Sequence, residues 1–220
     1  MAVACSEQPV QTFRTRLRTT CGWRPRLSRE RSKYGLSSMD YREALRQSRV
    51  LELLDEFDPR VVGTLPLGLA VATSDIDIVC HAADLDAFAE TLWKQYRDFR
   101  RFQMYQWTAK SRPLVARFDL GDWIFELFGD VHPVDQQPGW RHFDVERRLL
   151  QLDDGRLRAV LVGLRANGQK TEPAFAAALG LDGDPYEAML RLELEPDSQL
   201  CARIKGLGAM LPIEGHTARD

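Results

Sequence analysis

Hydrophobic and polar positions follow two different periods along the chain. Period-two alternation and short apolar runs predict β-strands at 60–63, 75–80, 102–107, 114–120 and 123–128. Apolar residues that recur every three or four positions predict helices at 40–57, 85–96, 141–152, 157–166, 173–179 and 186–194. Gly121-Asp122 between the last two strands is a strong hairpin signal. This order predicts an α+β fold, with a mixed β-sheet flanked by helices and then a C-terminal helical part.

Charge is distributed unevenly between the first 38 residues and the rest. The 220 residues carry 30 Lys or Arg and 32 Asp or Glu, a net charge of -2. Residues 1–38 hold eight of the basic residues and two Glu, a balance of +6, which leaves -8 for the remainder. We expect 1–38 to be a basic, disordered extension, and Met39, followed by the helix-capping Asp40, to be the true translation start. A domain at 39–194 and a tail at 195–220 complete the predicted organisation.

Charge, hydropathy and cysteine spacing each argue against particular classes of protein. An acidic body argues against broad binding of long nucleic acids, because that mode needs clustered Lys and Arg. We find no apolar run of the ~20 residues that a membrane-spanning helix requires, and therefore expect no membrane partner. The four cysteines are too scattered for a disulfide framework, and Cys80 is expected to be a small buried hydrophobe. A cytoplasmic location is the simplest expectation.

The segment Ser74-Asp75-Ile76-Asp77 carries the main chemical signal. Side chains alternate in a strand, so Asp75 and Asp77 are expected on one face and Ile76 in the core. Their Cα atoms should lie roughly 6.6 Å apart, twice the rise per residue. Two carboxylates at that spacing can converge on a hard cation, and oxygen ligands favour Mg²⁺ or Mn²⁺. Ser74 is a candidate nucleotide-binding residue beside them.

Two further elements extend this signal. Gly63-Thr64 directly follows a strand, where Gly63 permits close backbone approach and Thr64 offers a hydroxyl to phosphate oxygens. Glu126 is a charge within an apolar strand, which needs a cation or a hydrogen-bonding partner. We expect it to be the third metal-binding carboxylate. Asp119 and Asp122 are competitors for this role, but their place at the hairpin predicts that both are exposed.

These residues resemble a known family. Gly63-Thr64 followed by Ser74-Asp75-Ile76-Asp77 looks like the signature of the DNA-polymerase-beta-like nucleotidyltransferase superfamily. Segments 62–68, 125–128, 140–142 and 170–175 resemble one bacterial branch known only as a domain of unknown function, and the similarity spans about residues 40–192. The resemblance implies a nucleotidyltransferase-like mixed sheet with Asp75, Asp77 and Glu126 as its acidic triad. Many relatives have Asp at the third position, so Glu126 departs from the pattern.

Other candidates lie in the helical part. The stretch 163–171 nearly matches a phosphate-binding loop, but an extra residue and a preceding helix remove the required context, so a helix end at Gly168 is the better interpretation. Lys170 could still reach a triphosphate, and Arg141 could contact a phosphate. His142 and Glu146 are spaced four apart on a predicted helix. A metal pair is possible there, but a local hydrogen bond or a solvent-facing pair fits better.

The combined hypothesis is a metal-dependent nucleotidyltransferase that moves a nucleoside monophosphate from a nucleoside triphosphate to a hydroxyl acceptor. Asp75, Asp77 and Glu126 would hold Mg²⁺ or Mn²⁺. Gly63 and Thr64 would cradle the phosphates. The acceptor is expected to be a small molecule or a protein in preference to long nucleic acid. The alternative is a catalytically degenerate protein with the same fold that acts as a nucleotide- or protein-binding module.

Overall fold

The computed structural model describes residues 39–108 and 111–207. The predicted N-terminal extension lies outside these residues. The described chain divides into two compact units. The sheet unit contains 39–65, 72–108 and 111–137, and the helical unit contains 66–71 and 138–207. The domain boundary predicted at 194 falls inside the helical unit.

One five-stranded mixed sheet forms the centre of the sheet unit, with the strand order β1-β2-β5-β4-β3. The strands are β1 (Arg60–Val62), β2 (Ile76–His81), β3 (Arg100–Gln106), β4 (Leu114–Leu120) and β5 (Trp123–Asp130). β2 and β5 run parallel, while the other neighbouring pairs are antiparallel. The predicted mixed sheet is confirmed.

Four helices belong to or adjoin this part of the chain: α1 (Tyr41–Ser48), α2 (Val50–Leu53), α3 (Thr64–Leu67) and α4 (Leu85–Tyr96). Asp40 caps α1 as predicted, because its carboxylate accepts a hydrogen bond from the backbone N–H of Arg42 at 2.9 Å. The single helix predicted over 40–57 is wrong. Arg49 adopts a left-handed conformation with φ 53°, which ends α1 and separates it from α2.

The core of the sheet unit lies on one face of the sheet, against α1, α2 and α4. Tyr96, Phe118 and Phe125 form a continuous stack there, with ring centroids 4.5 and 4.9 Å apart. Cys80 is fully buried in the same core, as predicted. Ile76 and Ile78 of β2 also point into it, so the side chains that alternate with them lie on the opposite face.

The helical unit consists mainly of five helices: α5 (Pro138–Leu152), α6 (Arg156–Ala166), α7 (Thr171–Leu179), α8 (Pro185–Arg191) and α9 (Asp197–Gly206). These helices confirm the predicted C-terminal helical part, and α9 adds a helix within the expected tail. Gly168 follows α6 with φ 84°, and its N–H donates to the carbonyl of Arg165. Within the described residues, no helix combines the length and apolar character needed to cross a bilayer.

Candidate active site

Three charged side chains form a row across adjacent strands on the face opposite the core. Asp77 of β2 is the register partner of Glu126 in β5, and Glu126 is the partner of Arg117 in β4. Register partners on neighbouring strands point to the same face, so the three side chains stand side by side. The predicted pairing of Asp77 with Glu126 is therefore supported by the strand register itself.

Asp75 joins this row from the residue just before β2 and is bound by Arg117. Nη2 of Arg117 donates to Oδ2 of Asp75 at 3.0 Å, and Nε lies 3.3 Å from Oε2 of Glu126. One guanidinium thus bridges two of the predicted carboxylates. Arg117 was not among the residues predicted from the sequence, although it is a charge inside the largely apolar strand Leu114–Leu120.

The electrostatics of Asp75 are set by burial and by nearby arginines. Burial raises the pKa of the Asp75 carboxyl, and the positive charges of Arg117 and Arg101 act in the opposite direction. The Asp75 side chain is about 25% exposed and that of Glu126 about 35%. The positive charge of Arg117 contacts both carboxylates and so reduces the repulsion between them.

Gly63 lets the backbone approach Asp77 closely. Val62 at the end of β1 is the register partner of Asp77, and Gly63 then turns with φ 77°. A Cβ atom at Gly63 would lie 2.4 Å from Oδ2 of Asp77, well inside van der Waals contact. Both the backbone conformation and the available space therefore require glycine.

Thr64 and Ser74 hold the two ends of the loop before β2 together. The Thr64 hydroxyl donates to Oγ of Ser74 at 3.0 Å, and Thr64 is 8% exposed. The Thr64 hydroxyl proton is thus donated within the protein, and the predicted contact of this hydroxyl with phosphate stays a prediction. The bond fixes Ser74 next to Asp75, which places both predicted nucleotide-binding hydroxyls beside the carboxylates.

Asp119 is buried, which corrects the expectation that it is exposed. It is 5% exposed, and its Oδ2 lies 2.9 Å from Nε of Arg100 and 2.7 Å from Nε of Arg101. A register irregularity in β3 and a φ of 53° at Arg101 accompany this double pairing. Two arginines therefore neutralise Asp119 within the sheet, whereas Asp122 is exposed as predicted.

The remaining predicted contacts belong to the helical unit. Arg141 is paired there with Glu193, with Nη2 and Oε2 at 2.5 Å and Nε and Oε2 at 3.0 Å. Lys170 stands at the N-cap position of α7. The structure thus brings Asp75, Asp77, Glu126, Gly63, Thr64 and Ser74 together in the sheet unit, with Arg141 and Lys170 in the other unit.

His142 and Glu146 do not form a solvent-facing pair, contrary to the sequence expectation. They are 7% and 3% exposed, and Nδ1 of His142 lies 3.6 Å from Oε1 of Glu172. In the described part of the chain, Oε1 of Glu146 has no hydrogen-bond partner. Burial raises the pKa of Glu146 well above its ordinary value, and the nearby charge of Glu172 adds to the effect.

The carboxylate row can be tested for its fit to a metal ion. Over residues 39–108 and 111–207, no three or more His, Cys, Asp or Glu side chains meet as a group that could hold a metal. Asp75 and Glu126 nevertheless converge on one positive charge, the guanidinium of Arg117. Their donors are all oxygen, as Mg²⁺ and Mn²⁺ prefer. The chemistry of these oxygen ligands suits a hard cation, although in this structure the two carboxylates are held by the guanidinium of Arg117.

Several solved structures are similar to this chain. Cid1 poly(U) polymerase with MgGTP bound aligns at 15% identity over 68% of this chain and 47% of that chain, with a TM-score of 0.46. The GLD-2/RNP-8 complex aligns at 15% identity over 66% and 59%, with a TM-score of 0.44. A cytoplasmic RNA terminal U-transferase aligns at 15% identity over 67% and 44%, with a TM-score of 0.45. The chain spans about half the length of these proteins.

A comparison with curated proteins finds no match. The family described as a domain of unknown function, DUF4269, matches residues 43–192, which is more than half of the chain. The match confirms the resemblance to a branch known only by that description. The chain belongs to the DUF4269 family.

Proposed function

We propose that this protein is a metal-dependent nucleotidyltransferase that moves a nucleoside monophosphate from a nucleoside triphosphate to a hydroxyl acceptor. One observation carries the proposal. Asp77 and Glu126 are register partners on the face opposite the core, and Gly63 leaves the space that the Asp77 carboxylate fills. Neighbouring carboxylates repel each other and need positive charge, and in this proposal a metal ion supplies it when nucleotide binds.

In this proposal Asp75, Asp77 and Glu126 hold Mg²⁺ or Mn²⁺ with their carboxylate oxygens. The bound cation would neutralise charge on the triphosphate and on the leaving pyrophosphate. Gly63 keeps the turn after β1 free of a side chain, so that phosphate oxygens can approach the backbone. Thr64 donates to Oγ of Ser74 and so holds the Ser74 hydroxyl beside Asp75.

Glu126 is also proposed to orient the acceptor hydroxyl or to accept its proton. The acceptor oxygen attacks the α-phosphorus, the bond to the bridging oxygen breaks, and pyrophosphate leaves. The expectation that Arg141 and Lys170 contact phosphate stays a prediction, and within the helical unit Arg141 is paired with Glu193. The acidic charge of residues 39–220 favours a small-molecule or protein acceptor over long nucleic acid.

The test is metal-dependent release of pyrophosphate with ATP, GTP, CTP or UTP and pooled acceptors. Asp77→Asn should lower the rate by at least about a hundredfold, since it removes a charged metal ligand without changing shape. Asp122→Asn, the same substitution at an exposed position of the sheet unit, should leave the rate unchanged. Equal rates for Asp77→Asn and the wild type would contradict the proposal.

A second candidate function is a nucleotide- or protein-binding module without turnover. The observation in its favour is that Arg117 already neutralises Asp75 and Glu126 inside the protein. Calorimetry with each nucleotide, with and without Mg²⁺, separates the two functions. Nucleotide binding that does not depend on Mg²⁺, together with no pyrophosphate release in the presence of any acceptor pool, would favour the binding module.

A further inference from the structure

The ion pairs of Arg117 point to a form of control within the carboxylate site. Arg117 is the register partner of Glu126, and its guanidinium reaches past that residue to Asp75. It therefore occupies the space between two of the carboxylates that the proposed function assigns to a divalent cation. A single protein cation and a bound metal cannot both lie between the same two carboxylates, because like charges at that distance repel strongly.

The guanidinium of Arg117 can move away from the two carboxylates. Its side chain is 38% exposed, so the guanidinium can turn toward solvent without a change in the backbone. The next acidic residue on the same face of β4, Asp119, is already bound by Arg100 and Arg101. The planar guanidinium is also suited to binding two phosphate oxygens at once.

We propose that Arg117 is an internal counter-cation. In the metal-free protein it pairs with Asp75 and Glu126. When metal and nucleotide bind, its guanidinium leaves these carboxylates and binds the triphosphate. This inference rests on the proposed function and adds its regulation. Metal alone must compete with Arg117, and nucleotide alone meets carboxylates that repel it. Each ligand therefore promotes binding of the other.

The experiment measures Mn²⁺ binding to the full chain without nucleotide, by electron paramagnetic resonance or calorimetry. Arg117→Gln should bind Mn²⁺ roughly tenfold more tightly than the wild type, because two partly exposed ion pairs no longer compete. Arg117→Lys retains the charge and should stay near the wild-type affinity. Arg60→Gln is the matched control, since Arg60 is also 38% exposed in the sheet unit but pairs with Asp58.

A second measurement tests the coupling. ATP should increase the Mn²⁺ affinity of the wild type. The factor of this increase should be about tenfold smaller in Arg117→Gln. Thermal unfolding without metal shows whether each variant is folded. If Arg117→Gln proves unfolded, Arg117→Lys still tests the exchange: a Mn²⁺ affinity tenfold above wild type would contradict a role for the charge.

The outcomes separate this inference from the proposed function. Wild-type Mn²⁺ binding that Asp77→Asn abolishes, with no gain in Arg117→Gln, would overturn the counter-cation and leave the metal site standing. No Mn²⁺ binding by the wild type or Arg117→Gln, with or without ATP, would overturn both.

Discussion

Gly63 offers the sharpest test of the site geometry, through replacement by alanine. Two costs can be separated. The first is the left-handed backbone at φ 77°, which disfavours any residue with a Cβ by about 1 kcal/mol or slightly more. The second is the new methyl group, which would lie 2.4 Å from Oδ2 of Asp77 where ordinary contact begins at 3.4 Å. The carboxylate must therefore move by about 1 Å.

Gly121→Ala supplies the matched control in the same unit. Gly121 also has a left-handed backbone, with φ 62°, but an added Cβ would meet its nearest neighbour, Cε of Met39, at an ordinary 3.8 Å. Both variants should lose about 1 kcal/mol of unfolding free energy through the backbone conformation alone. Only Gly63→Ala should also lose the site, because a displacement of about 1 Å at a reacting group can cost roughly a hundredfold in rate.

The assay pairs denaturant unfolding with Mn²⁺ affinity and pyrophosphate release on the same samples. Unfolding measures the backbone cost in both variants, and the other two readouts measure the position of Asp77. If Gly63→Ala binds Mn²⁺ as tightly as Gly121→Ala does, the reasoning is refuted, since Asp77 would then not depend on a side-chain-free neighbour.

Two further predictions concern stability. Glu146→Gln should raise the melting temperature at pH 7.5. Since burial raises the pKa of Glu146, the folded state holds a proton that the unfolded state releases, so wild-type stability falls as the pH rises above 4.5. The expected gain in unfolding free energy is about 1–3 kcal/mol and should vanish toward pH 4.5. The same substitution at the exposed Glu187 should produce no gain. Gly129→Ala should cost about 1–3 kcal/mol in urea unfolding, because its Cβ would lie 2.2 Å from Cε1 of Phe88. Phe88→Leu in the same chain should recover part of that loss, and a purely additive double variant would show that the two side chains do not clash.

Patterns that depend on neighbouring residues were predicted well. The strand at 114–120 and the helix at 85–96 have the predicted bounds. Their signals, period-two and period-3.6 burial, depend only on residues close together in the sequence. The break at Arg49 was not predicted, since the apolar period continues across it and a left-handed arginine leaves no compositional signal. Helix α9 was missed because its apolar positions are sparse.

The carboxylates of the site follow from the same local rule, but their partner does not. Alternation places Asp75 and Asp77 on one face, and Glu126 reveals itself as a charge in an apolar strand. The Arg117 contact joins residues 42 positions apart and depends on the register of β4 with β5. The burial of Asp119 depends likewise on the β3 irregularity that positions Arg101. Neither pairing can be predicted from the composition.

Backbone geometry and charge play separate roles in this site. The register of β2 with β5 and the turn at Gly63 fix where Asp77 and Glu126 stand, whatever cation is bound. Neighbouring carboxylates repel each other, and the single positive charge of Arg117 offsets part of the charge of Asp75 and Glu126. Substitution of Arg117 should therefore change the charge partner of Asp75 and Glu126 without moving the strand register that positions these acids.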